Sequence, residues 1–395
     1  MENQNVYKPV IVAVGYNRID SLLRLLDSLE TAVYPCDDIT LYVSLDHSGM
    51  EESVIKAVEQ TPWTHGKRII RKHTGQLGLR KHILECASLS EQYGSVIILE
   101  DDLVVAENFY SYTVQALDYY GDQNMIAGIS LYSHAWNEHG DYHFMPQQNG
   151  YDTYLGQFSC TWGQCWTNKQ WNRFKAWYDE HENRLGENKN IPVDVENWGD
   201  KSWGKYFVYF MVENGLYYVM PYVALSTNCS ELGEHNGIKN ASYQVMLMES
   251  ADKQYRFPDI DTAVKYDIFF ERVFSSISIS GIPCEDICIN LNGLKRTNER
   301  RNYLITPVPE SRFKPVDSFE LQFRPIEKNL TMNCKGNDLF MYQVSESNEL
   351  IELTPKGDRS LQRATYEIYN SGWMKAFRYA SNDFAVALKH FITRK

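Results

Sequence analysis

The feature that most constrains this chain is a series of short, unbroken apolar runs, each followed by a stretch of helical spacing. "PVIVAVG" (9 to 15), "ITLYVSL" (39 to 45), "SVIIL" (95 to 99) and "MIAGISLY" (125 to 132) read as buried strands, and "KRIIRK" as a shorter one. Between them "SLLRLLDSL", "GLRKHILECASLSEQ" and "AENFYSYTVQALDYY" repeat apolar residues every three or four positions. This alternation predicts an α/β fold, a mostly parallel sheet covered by helices on both faces. Beyond about residue 250 the pattern gives way to Pro-punctuated short strands and turns. A principal domain over 1–250 and a smaller accessory region over 251–395 are expected, as suits a chain of 395 residues.

Charge narrows the functional classes. With 39 Lys and Arg against 51 Asp and Glu the net charge is -12, which argues against a nucleic-acid binder that must displace phosphate counterions. The N-terminal stretch lacks a signal-peptide pattern and no apolar run is long enough to span a bilayer, so a cytoplasmic protein is expected. The eight cysteines are scattered without a zinc-site pairing and read as reduced, buried thiols.

In an open parallel sheet the ligand crevice lies at the carboxyl ends of the strands. Three segments deliver polar residues there: "VGYNR" with Arg18, "VSLDHSG" with Asp46, and "VIILEDDL" with Glu100, Asp101 and Asp102. Neither a G-x-G-x-x-G turn nor a Walker A sequence occurs, so a nucleotide held through a metal fits better than one cradled by a glycine-rich loop. Three adjacent carboxylates repel one another, and their relief is solvation or a divalent cation. Carboxylate oxygens select Mg²⁺ or Mn²⁺ over zinc.

The ordered set of Arg18, Asp46, the "RKH" helix with His82, "VIILEDDL", a Trp-rich segment and "NWGDKSW" resembles the GT-A glycosyltransferases. It is similar in particular to the inverting N-acetylglucosaminyltransferase I family, whose acidic motif is also Glu-Asp-Asp-Leu, over roughly residues 8 to 240. The resemblance implies that Asp102 ligates Mn²⁺ (or Mg²⁺) and that Arg18, Asp46, His82 and Asp101 contact the nucleotide, with Asp46 on the uracil imide. It also implies that Glu100, Trp162, Trp198 and His235 border the donor sugar. From the sequence itself, Trp162 and Trp166 lie near a tight turn at Gly163 and are candidates to stack on a sugar, whereas Trp171 and Trp177 read as the core face of a helix.

Inverting transfer needs a carboxylate to take the proton of the attacking hydroxyl. The resemblance puts Asp200 in that role, although Gly199 stands where the family has a first Asp, and Asp194 and Glu196 are next in line. The implied activity is transfer from a UDP-sugar, UDP-GlcNAc among the candidates, to a glycan or lipid-linked glycan acceptor in bacterial surface polysaccharide synthesis. A sugar nucleotidylyltransferase and a catalytically silent glycan-binding module are the rival readings. At the C-terminus, residues 370–395 carry an apolar stripe through Trp373, Phe377, Phe384, Leu388 and Phe391 with a basic opposite side. That pattern predicts an amphipathic helix, which either packs on the protein or lies on an anionic membrane surface.

Overall fold

The computed structural model describes residues 7–199, 201–229 and 243–357, together with 363, 366, 367 and 377. The chain forms two compact units, Met1–Phe274 and Ser275–Lys395.

The first unit is built on β1 (Val10–Gly15), β2 (Leu41–Leu45), β3 (Arg68–Lys72), β4 (Ser95–Glu100), β5 (Leu103–Val105) and β6 (Ile126–Ser130). A small hairpin, β7 (Trp136–Asn137) and β8 (Tyr142–His143), follows, then β9 (Thr153–Gly156), β10 (Gln164–Thr167), β11 (Tyr217–Pro221), β12 (Ser226–Asn228), β13 (Lys265–Tyr266) and β14 (Arg272–Val273). Ten of these make one sheet in the order β14-β13-β9-β11-β6-β10-β4-β1-β2-β3. The half containing β3, β2, β1 and β4 is wholly parallel, as the alternating pattern requires. Across the entire sheet five neighbouring pairs are parallel and four antiparallel. The sheet is therefore mixed, with parallel pairing in the majority.

Helices cover both faces. On one lie α1 (Ile19–Thr31), α2 (Glu51–Gln60) and α5 (Phe109–Tyr120); on the other lie α3 (Leu79–Ala87), α4 (Ser90–Tyr93), α6 (Asn168–His181), the short α7 (Val193–Glu196) and α8 (Trp203–Glu213). Strand side chains alternate between the two cores: Ile11, Ala13, Ile97 and Leu99 meet α1, where Leu22, Leu25, Leu26 and Leu29 form the buried stripe. Val10, Val12, Val14, Val96 and Ile98 face the other way, onto Ile83 of α3, Trp171 of α6 and Phe207 of α8.

Three expectations need correction. The first unit runs past residue 250, because β13 and β14 extend the main sheet through β9; the expected division there falls within one compact body. The helix read through Trp171 and Trp177 begins at Asn168, and residues 164–167 before it, placed only near the Gly163 turn, form an antiparallel strand between β4 and β6. Its four residues, Gln-Cys-Trp-Thr, are buried on both faces and show no period-two alternation to mark a strand. Trp166 belongs to the core rather than to a sugar site: it is fully buried against Trp171, Trp203 and Phe207, and its indole N–H donates to Tyr218 Oη at 3.0 Å.

The second unit has a small hairpin of β15 (Ser278–Ile279) and β16 (Ile282–Pro283). Its four-stranded sheet is made of β17 (Ile287–Ile289), β18 (Tyr303–Thr306), β19 (Pro315–Phe319) and β20 (Leu339–Gln343), in the order β17-β18-β20-β19. Cys288, Leu304, Tyr342 and Val344 make its core. All eight cysteines of the chain are free thiols, and among the described residues no helix is long and apolar enough to cross a membrane. The amphipathic segment expected over 370–395 lies outside the described residues apart from Phe377, which is exposed.

Gly163 opens β10 at φ +97°, a conformation that disfavours any residue with a Cβ, and an added Cβ would stand 2.7 Å from Ser226 Oγ. Gly163→Ala is therefore expected to destabilise the first unit by roughly 1–3 kcal/mol, measurable as a lower urea midpoint with an unchanged slope.

Candidate functional site: the carboxyl edge of the parallel half-sheet

The register brings Val14 of β1 level with Ser44 of β2 and Glu100 of β4, so the chain leaves all three strands at one edge. The strand order reverses between β1 and β4, which makes this the crevice where open α/β sheets take ligands. Arg18, three residues after β1, reaches across it to the acids that follow β4. Its Nη2 pairs closely with Asp101 Oδ1 and its Nε donates to Asp101 Oδ2 at 3.3 Å, a two-point contact. Asp102 is held more loosely, its Oδ2 lying 3.4 and 3.5 Å from Arg18 Nη2 and Nη1. Burial works against the Arg18 charge, but the two carboxylates outweigh it and keep its pKa above the ordinary value.

Glu100 is the third member of this group. Burial first, then the adjacent Asp102 and Asp101 charges, push its carboxyl up to about 8, with Arg18 only partly opposing them. The acidic trio thus divides into a half-buried acid with a raised pKa, a clamped carboxylate and a rim carboxylate one quarter exposed.

Asp46 and His82, expected at the nucleotide, both have hydrogen-bond partners within the protein. The buried Asp46 carboxylate accepts from the backbone N–H of His47 and Leu77, both at 2.8 Å on Oδ1, and from Gly78 at 2.9 Å on Oδ2. It thereby pins the 73–78 loop, and with it the start of α3, to the end of β2. Gly78 adopts φ +75° at that point, ahead of the first helical residue. A uracil imide would have to use a carboxylate already engaged three times. His82 is only 3% exposed and hydrogen-bonds Ser44 Oγ through Nε2 at 2.7 Å; burial pushes its pKa down to about 4, so it is neutral. Its ring is turned into the core beside His73, where it supports the edge and does not face a ligand. Tyr16 and Gln76 close the same corner through a 3.2 Å hydrogen bond.

Just before β10 the half-buried Trp162 packs against Tyr132 at 4.8 Å and Tyr243 at 5.3 Å between ring centroids. The Tyr243 phenol feels burial and the charges of Glu138, Asp141 and Asp194, which raise its pKa. Asp194, exposed on α7, accepts from or shares a proton with His139 Nδ1 at 2.7 Å, and Glu196 accepts from the Asn188 N–H at 2.7 Å. The two reserve candidates for a base are thus both engaged. Trp198 is half-buried, and its carbonyl accepts from Lys205 Nζ at 3.1 Å. Asp200 and His235 lie outside the described residues. Sequence reasoning passed over Glu138 and His139, because the "WNEHG" turn follows no core strand directly and carries no motif. Among the described residues no three His, Cys, Asp or Glu side chains converge as a ready-made metal cage.

No protein-family model matches the chain, and no curated protein matches it. The solved structures it resembles include the mannosyltransferase PcManGT from Pyrobaculum calidifontis in complex with GDP-Man and Mn²⁺, at 13% identity and TM-score 0.33, covering 55% of this chain and 56% of that one. They also include S. aureus TarS 1–349 in complex with UDP-GlcNAc, at 12% identity and TM-score 0.38, covering 57% of this chain and 60% of that one. A further structure of S. aureus TarS 1–349 gives 13% identity and TM-score 0.35, covering 55% of this chain and 59% of that one. The chain thus spans less than two thirds of each of these structures. At such TM-scores the functional reading rests on the site's own residues.

Two outcomes test this geometry. Asp46→Ala leaves three backbone donors without their carboxylate and is expected to cost about 3 kcal/mol of stability, read by urea unfolding. For Glu100 the sign follows from a folded-state pKa of about 8 against an ordinary 4.5. The folded protein binds this proton more tightly than the unfolded chain, so the residue imposes no penalty in acid and a growing one as pH rises from about 4.5 to 8. Glu100→Gln should match the wild type in stability near pH 4.5 and exceed it progressively up to pH 8, in parallel melts across that range.

Proposed function

We propose that the protein is a metal-dependent, inverting glycosyltransferase of the GT-A type, transferring a sugar from a UDP-sugar to a glycan acceptor. The observation that carries this reading is the Arg18–Asp101–Asp102 group laid across the crevice between β1 and β4, beside Glu100. Arg18 and Asp101 supply a cation and a hydroxyl acceptor where a nucleoside diphosphate and its ribose would lie. Trp162 offers an aromatic face to a pyranose.

The donor set fits a divalent ion in one respect: Asp102 places a hard carboxylate oxygen at the rim of the crevice, one quarter exposed. Asp102 would hold Mn²⁺ or Mg²⁺ here, and such an ion would supply positive charge toward the departing diphosphate. The chain's own residues do the rest. Asp200 accepts the proton of the acceptor hydroxyl as its oxygen forms the new bond to the anomeric carbon, and the bond from that carbon to the diphosphate oxygen breaks. The configuration inverts because attack comes from the opposite face.

The decisive experiment incubates the protein with a panel of nucleotide sugars and Mn²⁺ and follows nucleoside diphosphate release. Release of UDP from a UDP-sugar is expected; release of none, with or without an added glycan, speaks for a silent binding module. Asp102→Asn should remove Mn²⁺-dependent UDP binding by calorimetry while the melting temperature is retained. Asp200→Asn should lower turnover roughly a hundredfold or more with UDP binding intact; near-normal turnover would move the base role to another carboxylate.

A further inference from the structure

Gln164, the first residue of β10, has no exposed surface, and neither its amide nitrogen nor its amide oxygen has a hydrogen-bond partner among the described residues. An unpaired primary amide in a core is costly, and a well-packed apolar side chain would serve the strand better. Such a group in a native protein asks for an explanation in function or in bound water.

Its position supplies one. Gln164 stands opposite Ile98 of β4 and Ser130 of β6, so its side chain shares their face of the sheet. Glu100, two residues beyond Ile98, projects from the same face at the ligand edge. Because β10 runs antiparallel, its first residue is its nearest to the ligand edge, level with Ile98 and two residues short of the end of β4. A second orphan lies on this face: Trp203, 1% exposed at the start of α8, packs on Trp166 at 5.8 Å, and its indole N–H also lacks a partner among the described residues.

We propose that Gln164 is a specificity-determining residue for the donor sugar, its amide oxygen accepting from one pyranose hydroxyl and its amide nitrogen donating to a second oxygen. An uncharged amide that both donates and accepts suits a neutral hexose or N-acetylhexosamine. Contact is made by the glutamine turning toward the cleft end of β10. The amide lies where water does not reach, so a sugar of the wrong configuration leaves it unpaired, which makes discrimination steep. This inference rests on the donor site proposed above.

The test is Gln164→Met, which keeps the length and loses the polarity. UDP, UDP-glucose, UDP-galactose, UDP-GlcNAc and UDP-GalNAc are titrated calorimetrically with Mn²⁺ against both proteins, beside melts of the ligand-free forms. The variant should bind UDP within about twofold of wild type, bind the tightest UDP-sugar about tenfold more weakly, and melt at the same or a higher temperature. Equal weakening of UDP and the UDP-sugar, or none of either, overturns the assignment. A drop in melting of more than about 5 °C does so too, since it shows an amide satisfied inside the fold by ordered water. If the wild type binds none of the five probes, the donor-site reading itself fails and this inference with it.

Discussion

Placing three consecutive carboxylates at the end of a fully buried strand is the problem the first unit has to solve, and the Arg18 guanidinium is its solution. The side chain bridges the ends of β1 and β4, meets Asp101 at two points and Asp102 at one. One cation cannot balance three acids, and burial, together with the remaining repulsion, pushes the Glu100 carboxyl up. The edge thus contains three carboxyl groups in three electrostatic states within three residues of sequence. That differentiation, more than the number of acids, gives the crevice its chemistry.

Much of this was legible in the sequence. The four parallel strands, the helices on both faces and the meeting of Arg18 with the acidic trio follow from apolar periodicity and from the rule that ligands bind at carboxyl ends. What was not legible falls into two physical classes. The first is the antiparallel strand Gln164–Thr167: buried on both sides, it has no alternation to betray it, and its site-facing residues come before the strand instead of after it. The second is partner choice. Asp46 and His82 sit where a nucleotide contact was expected, but the sequence cannot say that one spends its lone pairs on the 73–78 backbone and the other turns inward to Ser44. Position along a strand is a pattern; the hydrogen bond a side chain chooses depends on groups distant in the chain.

Those two residues also show how the edge is kept rigid. Asp46 joins the end of β2 to the start of α3, and the neutral His82 returns from α3 to Ser44 of β2. The same helix and strand are therefore tied twice, once by a charge-assisted contact to backbone and once by a neutral side-chain pair. With Gln76 reaching Tyr16 beyond β1, three loops of different origin share one hydrogen-bonded frame, and the Arg18 clamp is presented on a preorganised support.

The reversal of β10 has an evolutionary consequence. It divides the main sheet into a parallel half, which carries Arg18, Asp46 and the acidic trio, and a mixed half, which carries Trp162 and the path through α6 and α7 toward α8. Each half reaches the shared edge by its own chain segments, so residues on one side can drift without disturbing the registers that set the other. A lineage built on this plan can exchange what it recognises beyond the crevice while inheriting the crevice itself unchanged.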